Sequence, residues 1–186
     1  MRAFIIAIWL MEAVCRGALA DAASDCGQDK DPDLRVHNCT LIIEGQEGRN
    51  KANAYYNRGV AYYRKGDYDH AIADLDQAIR LNPKFASAYN NRGSAYDGKG
   101  EHDRAIADYD QAIRLDPKDA ITYSNRGRTY SRKSEHDRAI ADYDQAIRLN
   151  PKFASAYNNR LTGRHKRQHP LRYLQYAQGA PDTCPK

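Results

Sequence analysis

The chain contains 186 residues and a formal net charge of +5, and its charged residues are interspersed, unlike the continuous basic face typical of nucleic-acid-binding proteins. Leu, Ile, Val and Phe supply only about 16 % of the residues, which argues against an ordinary aliphatic core and leaves disorder as one alternative. Since Tyr alone contributes 14 residues, the other alternative is a fold that buries Ala and Tyr between closely packed neighbours.

The first 20 residues have the organisation of a secretory signal peptide. Met1-Arg2 carries positive charge, residues 3–11 form an apolar run, and Ala18-Leu19-Ala20 is a small-residue cleavage signal. The apolar run is far shorter than the roughly 20 residues that span a bilayer. We therefore expect a bacterial protein that is exported to the periplasm or secreted, begins at Asp21 and has no membrane span after cleavage. A lipid anchor on Cys15 is the alternative.

Residues 21–51 form the predicted N-terminal segment. Asp31-Pro32 is a good helix start, and a short helix over 32–44 could cap the helices that follow. In an oxidising compartment we expect a disulfide between Cys26 and Cys39, because these residues lack the tight Cys-x-x-Cys spacing of zinc and redox sites. A loose tail is the alternative to the capping helix.

From Ala52 onward the sequence repeats itself with a period of 34 residues. HDRAIADYDQAIRL occurs at 102–115 and again at 136–149, and FASAYNNR occurs at 85–92 and again at 153–160. Such a period is typical of helix–turn–helix arrays, so we predict an all-α fold, an α-solenoid of about three repeats plus a partial fourth. The predicted boundaries are 52–85, 86–119 and 120–153 for the three repeats, 154–160 for the start of a fourth, and 161–186 for an irregular tail.

Each repeat is predicted to contain two helices that approach one another closely. Gly59, with Gly93 and Gly127 at equivalent places, lies in the middle of a first helix, where Gly costs about 1 kcal/mol relative to Ala. We expect the second helix to cross there too closely for a side chain, with Ala71 supplying a complementary small surface. Asn82 is expected to cap the next helix, with Pro83 in its first turn.

The repeats resemble the tetratricopeptide-repeat family over about 100 residues. Ser134 replaces the turn glycine of the third repeat. Arginines stand where the family usually has Leu, and we expect Arg58, Arg92 and Arg126 to pair with Asp74, Asp108 and Asp142 of their own second helices. In the first repeat the resemblance rests on Tyr55, Gly59, Tyr62, Gly66, Tyr68, Ala71, Leu75, Ala78 and Pro83.

The resemblance implies that the first helices line a concave groove that holds peptides or partner proteins. The family's carboxylate clamp for chaperone tails is not expected, because of the residues implied for it only Asn91 and Arg128 are present. The predicted groove changes from aromatic to basic, which suits an extended segment with an apolar part and a carboxylate. The groove residues are Asn53, Tyr56, Val60, Tyr63, Arg64, Ser87, Asn90, Asn91, Ser94, Asp97, Gly98, Ile121, Ser124, Arg128, Ser131 and Arg132.

Sequence motifs of catalysis are absent: no nucleophile–base pair, phosphate-binding loop or helix-borne His-Glu-x-x-His is recognisable. We therefore predict a non-catalytic protein–protein interaction scaffold, with a protein or peptide partner and neither cofactor, metal nor nucleic acid. Two alternatives stay open. In the first alternative, the chain is an accessory or assembly factor of an envelope enzyme complex. In the second, it is a truncated repeat protein whose tail from Leu161 results from a shifted reading frame.

Overall fold

The computed structural model describes residues 26–27, 31–45, 49–153 and 156–161, and the regular secondary structure within these ranges is helical. The signal peptide predicted for residues 1–20, and the tail beyond Leu161, lie outside the described residues. None of the described helices is long and apolar enough to cross a bilayer. The helix bounds are Pro32–Gly45 (α1), Arg49–Arg64 (α2), Tyr68–Leu81 (α3), Ala86–Gly98 (α4), His102–Leu115 (α5), Ala120–Arg132 (α6) and His136–Leu149 (α7).

The chain divides into two compact units, residues 1–101 and 102–186. In the first unit α1 packs against α2, α2 against α3, and α3 against α4. In the second unit α5 packs against α6 and α6 against α7, and a further helical stretch occupies 156–161. Within each unit, consecutive helices joined by short turns pack on one another, which confirms the predicted all-α repeat class.

The tight turns that follow α2, α4 and α6 each contain one residue with a left-handed backbone. Gly66 and Gly100 adopt φ angles of +77° and +79°, which glycine tolerates because it has no Cβ. Ser134 takes the equivalent place with a φ of +63°. For a residue with a side chain this conformation costs about 1 kcal/mol, so the third repeat carries local strain that the first two turns avoid.

The junction between the first two repeats differs from the prediction. Asn82 Oδ1 accepts a hydrogen bond from the backbone N–H of Lys84, which forms a side-chain-stabilised turn that contains Pro83. α4 begins only at Ala86, and Phe85 is its N-cap residue. The expectation that Asn82 caps the next helix and that Pro83 lies in its first turn is therefore wrong, since both residues build the turn before it.

The mid-helix glycines mark the closest approach of paired helices. A Cβ atom on Gly59 would lie 2.9 Å from Leu75 Cγ and 3.2 Å from the carbonyl oxygen of Ala71. A Cβ atom on Gly127 would lie 3.0 Å from Tyr143 Cε1 and 3.2 Å from the carbonyl oxygen of Ala139 in α7. Cβ atoms are almost never found as close to a neighbour as at Gly59 and are uncommon at the distances of Gly127, so the predicted close crossing at these two glycines is confirmed.

Alanine and tyrosine supply much of the buried core, as the composition suggested. In the second unit Tyr109 and Tyr143 are almost completely buried, and so are alanines of α5 and α7. In the first unit the central cluster consists of Leu75, Ala78 and Ala88, with Tyr55, Tyr56, Ile79 and Phe85 packed against it. Small residues that permit close helix packing therefore compensate for the shortage of large aliphatic side chains.

A second apolar cluster lies where α1 packs on α2 in the first unit. Cys39 and Ile42 of α1 are buried in it together with Ala54 of α2 and with Cys26. Cys26 Sγ lies 2.13 Å from Cys39 Sγ, in the pairing that the sequence suggested. The two sulfur atoms lie between α1 and the chain that precedes it, beside the first helix of the first repeat.

Candidate interaction surface

An arginine in the middle of a first helix holds that helix to the second helix of its own repeat. Arg58 donates from Nε and Nη2 to the two carboxylate oxygens of Asp74, at 2.7 and 2.8 Å. Arg126 binds Asp142 with the same pair of nitrogens, at 2.8 and 2.7 Å. Two of the three predicted pairs are thereby confirmed. The pairing of Arg92 with Asp108 stays a prediction.

The arginines also bind the repeat before their own. Arg92 Nη1 donates to Asp76 at 2.5 Å, and Arg126 Nη1 donates to Asp110, also at 2.5 Å. Each of these aspartates precedes its arginine by 16 residues, a spacing that is visible in the sequence once neighbouring repeats are compared. One guanidinium group therefore connects consecutive repeats, which gives a physical reason for Arg at a position where the family resemblance implies Leu.

At the N-terminal end, α1 takes the place of a preceding repeat. Arg58 Nη1 donates to the hydroxyl oxygen of Thr40, at 2.9 Å, where the later arginines have an aspartate. Lys65 forms an ion pair with Asp33 of α1 just as Lys99 does with Asp69 of α3. α1 thus takes the place of a second helix towards the first repeat, with a threonine hydroxyl where the later second helices have an aspartate.

Tyrosine rings on the same helix face accompany these arginines. The guanidinium carbon of Arg126 lies 5.6 Å from the ring centre of Tyr123 and 5.9 Å from that of Tyr130. Arg92 lies in the same way over Tyr89 and Tyr96, at 5.5 and 6.0 Å. Spacings of three and four residues place these side chains together on a helix, and a ring attracts a cation at such distances. The tyrosine content is therefore explained in part by this role.

The positive charge of Arg126 is fixed at physiological pH. Burial by itself would lower the pKa of Arg126, but the hydrogen bonds and charges of Asp142 and Asp110 outweigh it and raise that pKa further above its ordinary value. Burial raises the pKa of Asp142, because its carboxyl group is removed from water. A guanidinium group in this environment stays protonated at any physiological pH, so it positions the helices and does not transfer protons.

In the first unit, residues of two consecutive first helices meet in what we call the Tyr56 patch, which consists of Tyr56, Phe85 and Asn91. The ring centres of Tyr56 and Phe85 are 4.7 Å apart, and Asn91 Nδ2 donates to the phenol oxygen at 2.9 Å. Burial raises the pKa of Tyr56, while the bond from Asn91 and the positive charges of Arg35 and Arg64 oppose the increase. The patch is aromatic, half-buried and oriented by one amide.

A second aromatic contact lies further along α2. The ring centres of Tyr63 and Tyr68 are 5.8 Å apart, and both residues are half-buried. The ring of Tyr68 rests on Gly98 of α4 so closely that a Cβ atom there would lie 2.6 Å from Tyr68 Cζ. Arg64, next to Tyr63, is exposed. This part of the first unit therefore offers partly open rings beside one exposed positive charge.

The remaining predicted groove residues of the first unit differ in exposure. Ser94 and Asp97 are buried, at 6 % and 3 % exposed, so they do not contribute open surface. Ser94 Oγ donates to the backbone oxygen of Asn90, which satisfies the hydroxyl within its own helix. Asn53 and Ser87 are exposed, whereas Val60 and Asn90 are half-buried.

In the second unit the predicted groove residues all lie on α6. Ile121, which is 55 % exposed, and Arg132 form its open part, while Arg128 and Ser131 are half-buried and Ser124 is buried. Considered by itself, this face combines an exposed aliphatic side chain with exposed positive charge.

No group of three or more His, Cys, Asp or Glu in the described ranges is arranged to hold a metal ion. Several ion pairs among the described residues join neighbouring helices, such as Arg126 with Asp142, and others are local, such as Arg138 with Glu135. The pairs between helices stabilise their packing.

Two profiles described as Tetratricopeptide repeat match the chain, one over residues 50–120 and the other over residues 120–153. No curated protein matches it.

Many solved structures are similar to the chain. The crystal structure of MamA is 27 % identical, with a TM-score of 0.66, over 82 % of this chain and 88 % of that one. The first tetratricopeptide-repeat domain of Spaghetti (RPAP3), solved with the HSP90 peptide SRMEEVD, is 26 % identical, with a TM-score of 0.61, over 63 % of this chain and 93 % of that one. The tetratricopeptide-repeat domain of Arabidopsis OM64 is 25 % identical, with a TM-score of 0.62, over 63 % of this chain and 97 % of that one.

Proposed function

Because the chain belongs to the tetratricopeptide-repeat family, we propose that it is a non-catalytic interaction module that holds an extended segment of a partner protein on the face of its first helices. The Tyr56 patch carries this proposal. It joins side chains of two consecutive repeats in one partly open surface, and its rings and amide are held in place by contacts within the protein. A preorganised surface of this kind binds without having to order its own side chains first.

The chemistry of the patch favours a ligand with an apolar side chain next to an acidic one. An aliphatic or aromatic side chain would pack against the rings of Tyr56 and Phe85. The phenol oxygen already accepts a hydrogen bond from Asn91, so its own hydrogen is available to donate to a ligand carbonyl or carboxylate. The exposed Arg64 on the same helix supplies the positive charge for a carboxylate.

The proposed ligand differs from the HSP90 peptide of the RPAP3 domain. The family resemblance implies a pair of carboxylate-clamp residues in the first repeat. This chain has Tyr56 and Val60 at those two places. Asn91 is present, but its amide is engaged by Tyr56. We therefore propose recognition through the aromatic ring of Tyr56, where the clamp would use a cationic side chain.

Selection of a randomised peptide display library on the full chain tests this function. The selected sequences are expected to combine Leu, Phe or Tyr with Asp or Glu, and their affinity is expected to fall at least tenfold for Tyr56→Ala and for Arg64→Glu. Lys118→Glu, an equal charge reversal in the exposed turn before α6, is the matched control and should bind as the unchanged chain does. Selected peptides that bind all of these variants equally would contradict the proposal.

We also propose that the protein works outside the cytoplasm. Support comes from the order of charge, apolar run and cleavage signal in residues 1–20 and from the proximity of the sulfur atoms of Cys26 and Cys39, since disulfides persist in oxidising compartments. Mass spectrometry of the protein from the exported fraction should give a chain that begins at Asp21. An intact Met1 in a cytosolic fraction would exclude export.

A further inference from the structure

Two aromatic sites lie along one side of α2 in the first unit. One is the Tyr56 patch, and the other is the pair of Tyr63 and Tyr68, which we call the Tyr63 site and whose ring centres are 5.8 Å apart. Tyr56 and Tyr63 are seven residues apart, close to two helical turns, so their side chains leave α2 on the same side. The half-buried Val60 lies between them.

Gly98 of α4 makes room for the Tyr63 site. A Cβ atom on Gly98 would lie 2.6 Å from Tyr68 Cζ and 2.8 Å from Tyr68 Cε1, so any other residue would displace that ring. The period of 34 residues places Arg64 and Arg132 at the equivalent positions of the first and third repeats. The side chain is therefore missing at the one of these three positions where a tyrosine ring occupies the space.

The sequence combines the two rings of α2 in the first repeat alone. The places of Tyr56 and Tyr63 are taken by short polar side chains in the other two repeats, Asn90 and Asp97 in the second and Ser124 and Ser131 in the third. Two apolar contacts in line along one helix are therefore a property of the first repeat. A ligand that uses both contacts has to match the distance between them.

That distance favours one backbone conformation of the ligand. The rise of an α-helix places Tyr56 and Tyr63 about 10.5 Å apart along α2. In a polyproline II segment every third side chain returns to the same side, at a repeat of about 9.3 Å. Side chains on one face of a β-strand recur about every 6.7 Å, so one step is too short and two steps are too long.

The hydroxyl group of Tyr56 favours a polyproline II segment over a helix. The phenol oxygen accepts a hydrogen bond from Asn91, so the phenol hydrogen is available to donate to a ligand. Side chains seven residues apart on a ligand helix would also span the two sites, but the carbonyl groups inside a helix are already bonded within it. A polyproline II segment has no internal hydrogen bonds, so each of its carbonyl groups can accept one from Tyr56.

We propose that the segment held by this protein adopts the polyproline II conformation and places two apolar side chains, three residues apart, on the Tyr56 patch and on the Tyr63 site, while Tyr56 donates to a backbone carbonyl of the segment. This inference rests on the proposed function and adds the conformation and the spacing of its ligand. An acidic residue beside the second apolar one meets the exposed Arg64. A segment that favours polyproline II before binding loses little conformational entropy when it binds.

Fluorescein-labelled peptides of one composition test the spacing. EPLPPLPE has its two Leu at a spacing of three, EPLPLPPE at a spacing of two and EPLPPPLE at a spacing of four. In anisotropy titrations with the full chain, EPLPPLPE is expected to bind about fivefold more tightly than the other two, because it alone makes both apolar contacts.

Two further peptides test the conformation. EALAALAE keeps the spacing of three without the prolines that favour polyproline II, so it is expected to bind more weakly than EPLPPLPE. EALAKAAKALAE has its two Leu at a spacing of seven in a helix-forming sequence and represents a helical ligand. It is also expected to bind more weakly, because it offers Tyr56 no free backbone carbonyl within the helix.

Variants of the protein assign the two contacts. Gly98→Ala adds the methyl group that displaces the ring of Tyr68, so this variant should bind EPLPPLPE no more tightly than EPLPPAPE, which has a single Leu. Tyr56→Ala should weaken the binding of every peptide. Lys118→Glu, in the exposed turn before α6, is the control and should bind EPLPPLPE as the unchanged chain does. Circular dichroism confirms that the variants are folded, and the comparison of peptides on the unchanged chain needs no variant.

The possible results distinguish this inference from the proposed function. Equal affinity for the three spacings, tighter binding of EALAKAAKALAE, or no binding of any of these peptides would overturn the inference. The proposed function would still be supported if peptides selected from the library depend on Tyr56. A spacing preference that persists in Gly98→Ala would exclude the Tyr63 site as the second contact and overturn the inference as well. Binding that does not depend on Tyr56 would overturn both proposals.

Discussion

Arg126 and Asp142 lie on different helices of one repeat and are joined by two parallel hydrogen bonds, from Nε and Nη2 to the two carboxylate oxygens. The pair is largely removed from water, with Asp142 6 % exposed. A third bond from the same guanidinium group reaches Asp110 of the repeat before. A single side chain therefore stabilises packing within a repeat and between neighbours, and its loss should be felt in both places.

Arg126→Ala is expected to lower the free energy of unfolding by about 3 kcal/mol, because Asp142 would be left as a buried charge without a partner. Thermal and urea denaturation followed by circular dichroism measure the change. Arg148→Ala is the matched control, since that exposed residue bonds only Gln145 among the described contacts, and it should change stability by less than about 0.5 kcal/mol. Equal effects of the two substitutions would show that the ion pair contributes nothing.

Ser134→Gly is expected to stabilise the protein by about 1 kcal/mol, because Ser134 has a φ of +63° that only glycine adopts without strain. The reverse change, Gly100→Ser, places a side chain at a φ of +79° and should destabilise by a similar amount. Urea denaturation of both variants forms a matched pair. If Ser134→Gly unfolds at a lower urea concentration than the unchanged chain, strain at this turn is negligible.

Gly127→Ala is expected to destabilise by about 1–3 kcal/mol although Ala is the better helix former, because the new methyl group would press against Tyr143 and the backbone of α7. Ser131→Ala on the same helix is the control for helix propensity and should be neutral or slightly stabilising. The measurement is the shift in urea midpoint for each variant. A stabilising Gly127→Ala would mean that the two helices separate easily.

Reduction of the Cys26–Cys39 pair is expected to lower the melting temperature. A cross-link over 13 residues contributes on the order of 3 kcal/mol in the chain-entropy model. Cys26→Ala in the oxidised protein should melt with the reduced chain, since both lack the cross-link. An identical melting temperature with and without reducing agent would show that the pair is not bonded in solution.

Exposed ion pairs between lysines of the turns and aspartates of the second helices should make stability depend on pH in the acid range. The hydrogen bond from Lys99 lowers the pKa of Asp69, and the hydrogen bond from Lys133 lowers the pKa of Asp103. A carboxyl group with a lowered pKa in the folded state stabilises fully above its unfolded pKa of about 4 and loses this contribution as the pH falls through the lower folded value. Melting temperatures measured from pH 5 to pH 2.5 should therefore fall, and fall less for Lys99→Met combined with Lys133→Met.

Those pairs are exposed, so the acid effect should be modest and should shrink in 0.5 M salt. A pH dependence that is unchanged in the double variant would assign the acid sensitivity to other carboxyl groups.

Much of the helix packing can be predicted from the sequence of a single repeat. The close crossing at Gly59 and Gly127 is predictable because a mid-helix glycine has a cost that only packing explains. The bonds of Arg58 to Asp74 and of Arg126 to Asp142 are predictable because a charge at a core position requires a partner. The bonds of Arg92 to Asp76 and of Arg126 to Asp110 cannot be predicted from one repeat, since each aspartate belongs to the repeat before its arginine.

Other features depend on backbone geometry that residue types do not determine. Asn82 is equally suited to cap a helix and to close a turn. It closes a turn here because α4 begins only at Ala86. Asp97 lies on the predicted groove side of α4 but is 3 % exposed, because position on a helix face does not reveal what packs over it. The Tyr56 patch depends on the meeting of two helices, which only the folded chain shows.

The 16-residue interval between Arg126 and Asp110, repeated between Arg92 and Asp76, has an evolutionary consequence. Arg92 and Arg126 each meet an aspartate at the same place in the block that precedes them, and the blocks 101–115 and 135–149 have the same sequence. Recombination that duplicates or removes a whole block therefore rejoins compatible ends. Descendants of this gene can lengthen or shorten their arrays in single events, without any new contact having to arise.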